Sequence, residues 1–136
     1  MPIPTPTDGE MAILRVLWAR GPSTVRQVHE VLQPERNVGY TTVLKMLQIM
    51  REKGIVSRED ARRPHIYMPA QKRDVVQDGL VQALVRKAFG GSAANLVMRA
   101  LSAKAPSAAE VADIRALLDA IEPGATEDAI EPGAEG

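Results

Sequence analysis

The segment from Val38 to Gly54 constrains this chain more than any other. Within it Val43, Leu47 and Met50 recur at helical spacing and predict one inward face. Thr41, Thr42, Lys45 and Gln48 fall largely on the other side. Such a helix lies with one face on a core and leaves the other free. Gly54 stops it, and the chain then turns extended. Ile55-Val56-Ser57-Arg58 reads as a strand, Glu59-Asp60-Ala61-Arg62-Arg63 as a charged turn, and Pro64-His65-Ile66-Tyr67-Met68 as the returning strand. Pro64 is tolerable at the start of an edge strand. An isolated hairpin is marginal in water, so this one has to pack on helices.

Two helices are predicted ahead of this segment. Pro2, Pro4 and Pro6 make residues 1–6 a flexible arm. Thr7 with Glu10 forms a capping-box pattern, which starts a helix from Asp8 to about Ala19. Met11, Leu14, Leu17 and Trp18 form its apolar stripe; Trp18 reads as a core aromatic before it reads as a stacking platform. Gly21-Pro22 breaks the chain, and Ser23 is read as the cap of a second helix over residues 24–32. Gln33-Pro34-Glu35-Arg36-Asn37 is read as the loop into the third helix. His29 has no metal-binding neighbours in the sequence and reads as a structural histidine.

Residues 74–121 change character, with three helical patterns and no extended run. One runs from Asp74 to about Phe89 and stops at Gly90-Gly91, and one from Ser92 to Ala103. The third follows a second capping box, Ser107 with Glu110, and carries Val111, Ile114, Leu117, Leu118 and Ile121. Fewer than fifty residues with this much apolar surface do not easily close a core alone. Either they fold back on the first half, or they pair with a second copy about a two-fold axis. The homodimer is the expectation, through Leu80, Leu84, Leu96, Val97, Leu101, Val111, Ile114 and Leu118. Ala120-Ile121-Glu122-Pro123-Gly124-Ala125 recurs at residues 129–134, and residues 122–136 read as a disordered acidic tail.

Charge divides along the same line. Residues 1–73 hold 12 Lys and Arg against 7 Asp and Glu, whereas residues 74–136 hold 5 against 10. The first half therefore suits a polyanion. The chain has no cysteine, which excludes disulfides and thiolate chemistry and fits a cytoplasmic protein. With two distant histidines and no carboxylate cluster beside them, no catalytic or metal constellation is legible, so neither an enzyme nor a cofactor is expected. No leader or membrane-spanning run is expected either.

Hydroxyl, ammonium and amide groups on a free helical face are the chemistry that meets phosphates and base edges in a DNA groove. The fold expected is mainly α with a small β-wing. A winged helix-turn-helix domain occupies residues 7–73, and a helical dimerisation region follows at 74–121. The residues expected at double-stranded DNA are Ser23, Tyr40, Thr41, Thr42, Lys45, Gln48, Arg62 and Arg63. Two other uses fit the same residues: a winged helix used only for protein contact, and a regulator that binds a small ligand between its halves.

The ordered set Thr7-Asp8-Gly9-Glu10 to Val16-Leu17-Trp18, Ser23-Thr24-Val25, Tyr40-Thr41-Thr42-Val43 and Lys53-Gly54-Ile55-Val56 resembles the penicillinase repressor family over residues 7–121. That resemblance implies a dimeric repressor of resistance genes that occludes palindromic operators. It also implies an upstream membrane sensor, whose signal ends in cleavage within the C-terminal helices. Two positions depart from the family pattern. Arg99-Ala100 stands where the best-known members carry a cleaved Asn-Phe bond, and Ile49 where an Arg is usual. The Cys-rich metal motif of a related copper-responsive branch has no counterpart.

Overall fold

The computed structural model describes residues 5–61 and 63–133, with side chains described as far as Glu122. It contains six helices and one two-stranded sheet among the described residues. They fall into two compact units that divide between Ala88 and Phe89.

In the first unit, α1 (Asp8–Arg20) opens on the expected capping box. The Glu10 amide donates to Thr7 Oγ1 at 3.2 Å, and the Thr7 amide donates to Glu10 Oε1 at 2.9 Å. The helix buries Ala12, Ile13, Leu14, Val16 and Leu17, a wider surface than the expected stripe. Met11 and Trp18 are only partly buried and pack at the rim of this core. Gly9 lets α1 approach α3, since a Cβ there would stand 2.7 Å from Met46 Cε.

The second helix corrects the sequence reading at both ends. α2 spans Val25–Arg36, and its cap is Thr24, not Ser23. Thr24 Oγ1 accepts from the Gln27 amide at 3.1 Å, and Gln27 Oε1 accepts from the Thr24 amide at 2.9 Å. Pro34, read as part of a loop, lies inside the helix. Proline removes one ladder hydrogen bond, but here that loss falls near the helix end. Burial of Val28 and Leu32 anchors the preceding turns, and Asn37 in the left-handed conformation (φ 53°) closes the last one.

Helix α3 (Tyr40–Glu52) buries Val43, Leu47 and Met50, each 0% exposed, as its spacing predicts. Gly54, at φ +82°, turns the chain from α3 into the sheet, a conformation glycine adopts without penalty. Strands β1 (Val56–Glu59) and β2 (Ile66–Pro69) pair antiparallel, with Arg58 opposite Tyr67. The hairpin does not stand alone. The Ser23 amide donates to the Tyr67 carbonyl at 2.9 Å, and the Tyr67 amide donates to the Ser23 carbonyl at 2.7 Å. Strand β2 is thus hydrogen-bonded on both edges, and the Tyr67 side chain is buried in the core at 1% exposure.

Helix α4 (Arg73–Ala88) also belongs to this unit. Val76 is buried in the same core and Leu80 packs against it. Leu80, expected on a dimer face, is therefore used within the chain. The compact unit ends some fifteen residues later than the change in composition at residue 74 suggested. Helical periodicity marks which face is buried, not what buries it.

The second unit holds α5 (Ala93–Ala103) and α6 (Ala108–Gly133). Ser92 caps α5 by accepting from the Asn95 amide at 3.0 Å. Ser107 and Glu110 exchange the two bonds of their capping box at 3.1 and 2.9 Å. No side chain of α5 is buried. Leu96, Leu101, Val111 and Ile114 are half-buried, while Val97, Met98, Leu117, Leu118 and Ile121 stand exposed. The expected tail meets a helical backbone, since α6 continues through Pro123 to Gly133. Side chains from Pro123 onward, and residues 134–136, lie outside the described residues. No helix among the described residues is long and apolar enough to cross a membrane.

Candidate nucleic-acid interface

With three inward residues fixed, the rest of α3 divides by angle, at roughly 100° per residue. Thr41, Lys45 and Gln48 project away from the core, and Thr42 flanks them on one side; all four are exposed. Tyr40, Leu44 and Arg51 lie toward the hairpin flank. Tyr40 is 48% exposed, with its ring edge-on to His29 at a centroid distance of 6.0 Å. The polar face expected from the sequence is therefore assembled as one continuous strip.

Between the start of α2, α3 and the hairpin lies an open groove of about 490 Å³. Thr24, Arg26, Tyr40, Gln48, Arg58 and His65 contribute its polar lining. Of these, Thr24, Arg26, Arg58 and His65 were not singled out by the sequence reading. A cue existed for Arg58, whose strand follows directly on α3. Arg26, in the first turn of α2, is also paired with Glu30 at 3.6 Å.

Asp60, in the turn after β1, gathers basic side chains at this edge. Arg58 Nε donates to Asp60 Oδ1. Arg51 Nη2 lies 3.6 Å from Asp60 Oδ2, and His65 Nε2 lies 4.0 Å from Oδ1. The Arg58 guanidinium holds the Asp60 carboxyl below the usual carboxylate range. Asp60, and Tyr67 after it, raise Arg58 in return.

A further ion pair joins α3 to α1. Lys53 Nζ donates to Glu10 Oε2 at 2.8 Å, tying the end of α3 to the start of α1. Glu10 is 5% exposed. Burial pushes its carboxyl up, but the Lys53 ammonium and the Thr7 amide outweigh that and leave it lowered.

Two expected contacts change. Ser23 is fully buried, and its Oγ donates to the Gly21 carbonyl at 2.8 Å. Its hydroxyl cannot reach a phosphate; the residue joins the hairpin to α2 through its backbone instead. Arg63 is exposed as expected, whereas Arg62 lies outside the described residues. No group of His, Asp and Glu side chains among the described residues is arranged to hold a metal ion.

Three helices, the third free along one polar face, with a two-stranded ribbon beside it, define a winged helix-turn-helix unit. The chain belongs to the penicillinase repressor family, whose model matches residues 6–120. It is 42% identical over 87 residues to transcriptional regulators BlaI of two Mycobacterium tuberculosis strains, CDC 1551 / Oshkosh and H37Rv. That match covers 62% of this chain and 63% of each relative, so it spans under two thirds of their length. A solution structure of the Bacillus licheniformis BlaI monomeric form, in complex with the blaP half-operator, aligns at TM-score 0.48 and 22% identity. It covers 54% of this chain and 89% of that one.

Proposed function

We propose that this protein is a cytoplasmic transcriptional repressor, which binds palindromic operators as a homodimer and keeps RNA polymerase from the promoter. The observation that carries this reading is the exposed strip Thr41, Thr42, Lys45 and Gln48 on a helix whose opposite face is wholly buried. Each copy would set α3 in a major groove, with half-sites one helical turn apart or a multiple of it. Lys45 and Gln48 have the donors and acceptors to read base edges, and the threonine hydroxyls and Tyr40 reach phosphate. Arg63 on the wing, with Arg62 beside it in sequence, would add sequence-independent contacts.

Dimerisation is assigned to the C-terminal helices. Val97 and Leu118 are exposed in the single chain, as is Leu84 on α4. Leu96, Leu101, Val111 and Ile114 retain part of their surface. Burying this surface against a second copy would remove apolar area from water at about 25 cal/mol per Å². Release by a membrane-sensor circuit through proteolysis at Arg99-Ala100 would require local unwinding: both residues are exposed, but they sit inside α5.

The test is a gel-shift titration of the full chain with a palindromic promoter fragment selected from its own genome. Specific retention at physiological salt, competed by the same fragment and not by a scrambled one, is the expected result. Equal binding to both fragments would leave a non-specific DNA binder. Binding to neither would remove DNA as the partner.

A further inference from the structure

Among the described residues, Asp60 is approached by three basic side chains at the hairpin edge of α3. Arg51 comes from the last turn of α3, Arg58 from β1, and His65 from the approach to β2. Arg58 and His65 line the groove beside Tyr40 and Gln48, where a sugar-phosphate strand would pass if α3 enters a major groove. Yet Arg58 is only 20% exposed, held by the carboxylate of Asp60, itself 50% exposed. A carboxylate at such a place repels phosphate and at the same time occupies the nearest guanidinium groups. Its geometry also ties the hairpin turn to the end of the reading helix.

We propose that Asp60 is a specificity-determining residue, an internal anion that stands in for DNA phosphate and restrains Arg51 and Arg58 from indiscriminate backbone contact. The inference rests on the DNA-binding reading above. On non-cognate duplex the arginines stay with Asp60, and the protein binds weakly. On a cognate site, contacts from α3 bring the backbone close enough for phosphate to compete for Arg58. Asp60 thus lowers affinity for every sequence, and lowers it most where base contacts are missing.

The experiment compares the full-length unaltered chain with Asp60→Asn and Asp60→Glu. Each is titrated by fluorescence anisotropy against the selected palindromic duplex and a scrambled duplex, over a series of salt concentrations. Asp60→Asn is expected to tighten scrambled-duplex binding by roughly fivefold or more and to narrow the cognate-to-scrambled ratio. Its salt dependence should steepen by about one to two in log–log slope, as one or two more phosphates are engaged. Asp60→Glu, which keeps the charge, should stay near the unaltered chain, and Arg58→Gln placed on Asp60→Asn should reverse most of the steepening. Circular dichroism melts establish that the variants fold.

An unchanged slope and ratio in Asp60→Asn, with the unaltered chain still discriminating, overturns the inference and leaves the repressor reading intact. So does a parallel loss of affinity for both duplexes at constant slope, which is the signature of a carboxylate that only stiffens the turn. Should the unaltered chain bind neither duplex, the repressor reading falls, and this inference with it.

Discussion

The two units of this chain treat apolar surface differently. In the first, Ile13, Leu14, Val28, Val43 and Leu47 reach complete burial, and even the hairpin sends Tyr67 inward. In the second, α5 buries nothing fully, and Met98, Leu117 and Ile121 each stand more than 60% exposed. The first unit is closed by its own residues. The second leaves much of its apolar surface exposed. The proposed repressor would use both: the closed unit to hold α3 against DNA, and the open surface to couple two copies.

The comparison breaks most readily at Leu47. Leu47→Ala, inside the closed core, is expected to destabilise the chain by about 2–5 kcal/mol in urea denaturation. A loss under about 1 kcal/mol would mean that the first unit is less tightly packed than its burial implies. The counterpart is a paired substitution on the open surface, Val97→Asp with Leu118→Asp. Sedimentation should show the association weakened by a hundredfold or more, about 2.7 kcal/mol, while the melting of the first unit is nearly unchanged. Identical sedimentation of variant and unaltered chain would place the association elsewhere.

Smaller effects sharpen the contrast on the reading side. Lys45→Ala should weaken cognate binding by about 1–3 kcal/mol with no loss of fold stability, because its side chain is exposed. Unchanged affinity in a gel-shift series would remove Lys45 from the interface. The smallest effect concerns the Glu10–Lys53 pair. The folded carboxyl of Glu10 is lowered from the ordinary value of 4.5, so its stabilisation is fully present above that pH. It fades as pH falls through the lowered folded value. Denaturation at pH 7, 4.5 and 3 should show an acid-side loss that Glu10→Gln reduces; identical acid limbs would show that the pair contributes nothing.

Much of the first unit was legible because its signals are local. The capping box of Thr7 with Glu10 spans four residues and formed as expected, as did that of Ser107 with Glu110 in the second unit. The inward and outward faces of α3 follow from spacing alone. What sequence did not disclose depends on distant partners. Ser23 and Thr24 both have side chains suited to capping, and only the pairing of Ser23 with Tyr67 decides between them. Leu80 carries the same apolar signal as Leu84, yet one packs on the first-unit core and the other does not. The Asp60 cluster joins residues from α3, β1 and the approach to β2, and no linear motif announces it.

The Ser23–Tyr67 pairing has a further consequence, for assembly. A hairpin on a short tether is the kind of element that two copies can exchange, each lending its ribbon to the other. Here such a trade would have to break both backbone bonds to Ser23 and draw a buried tyrosine ring through water. Clipped in this way, the ribbon stays with the chain that made it.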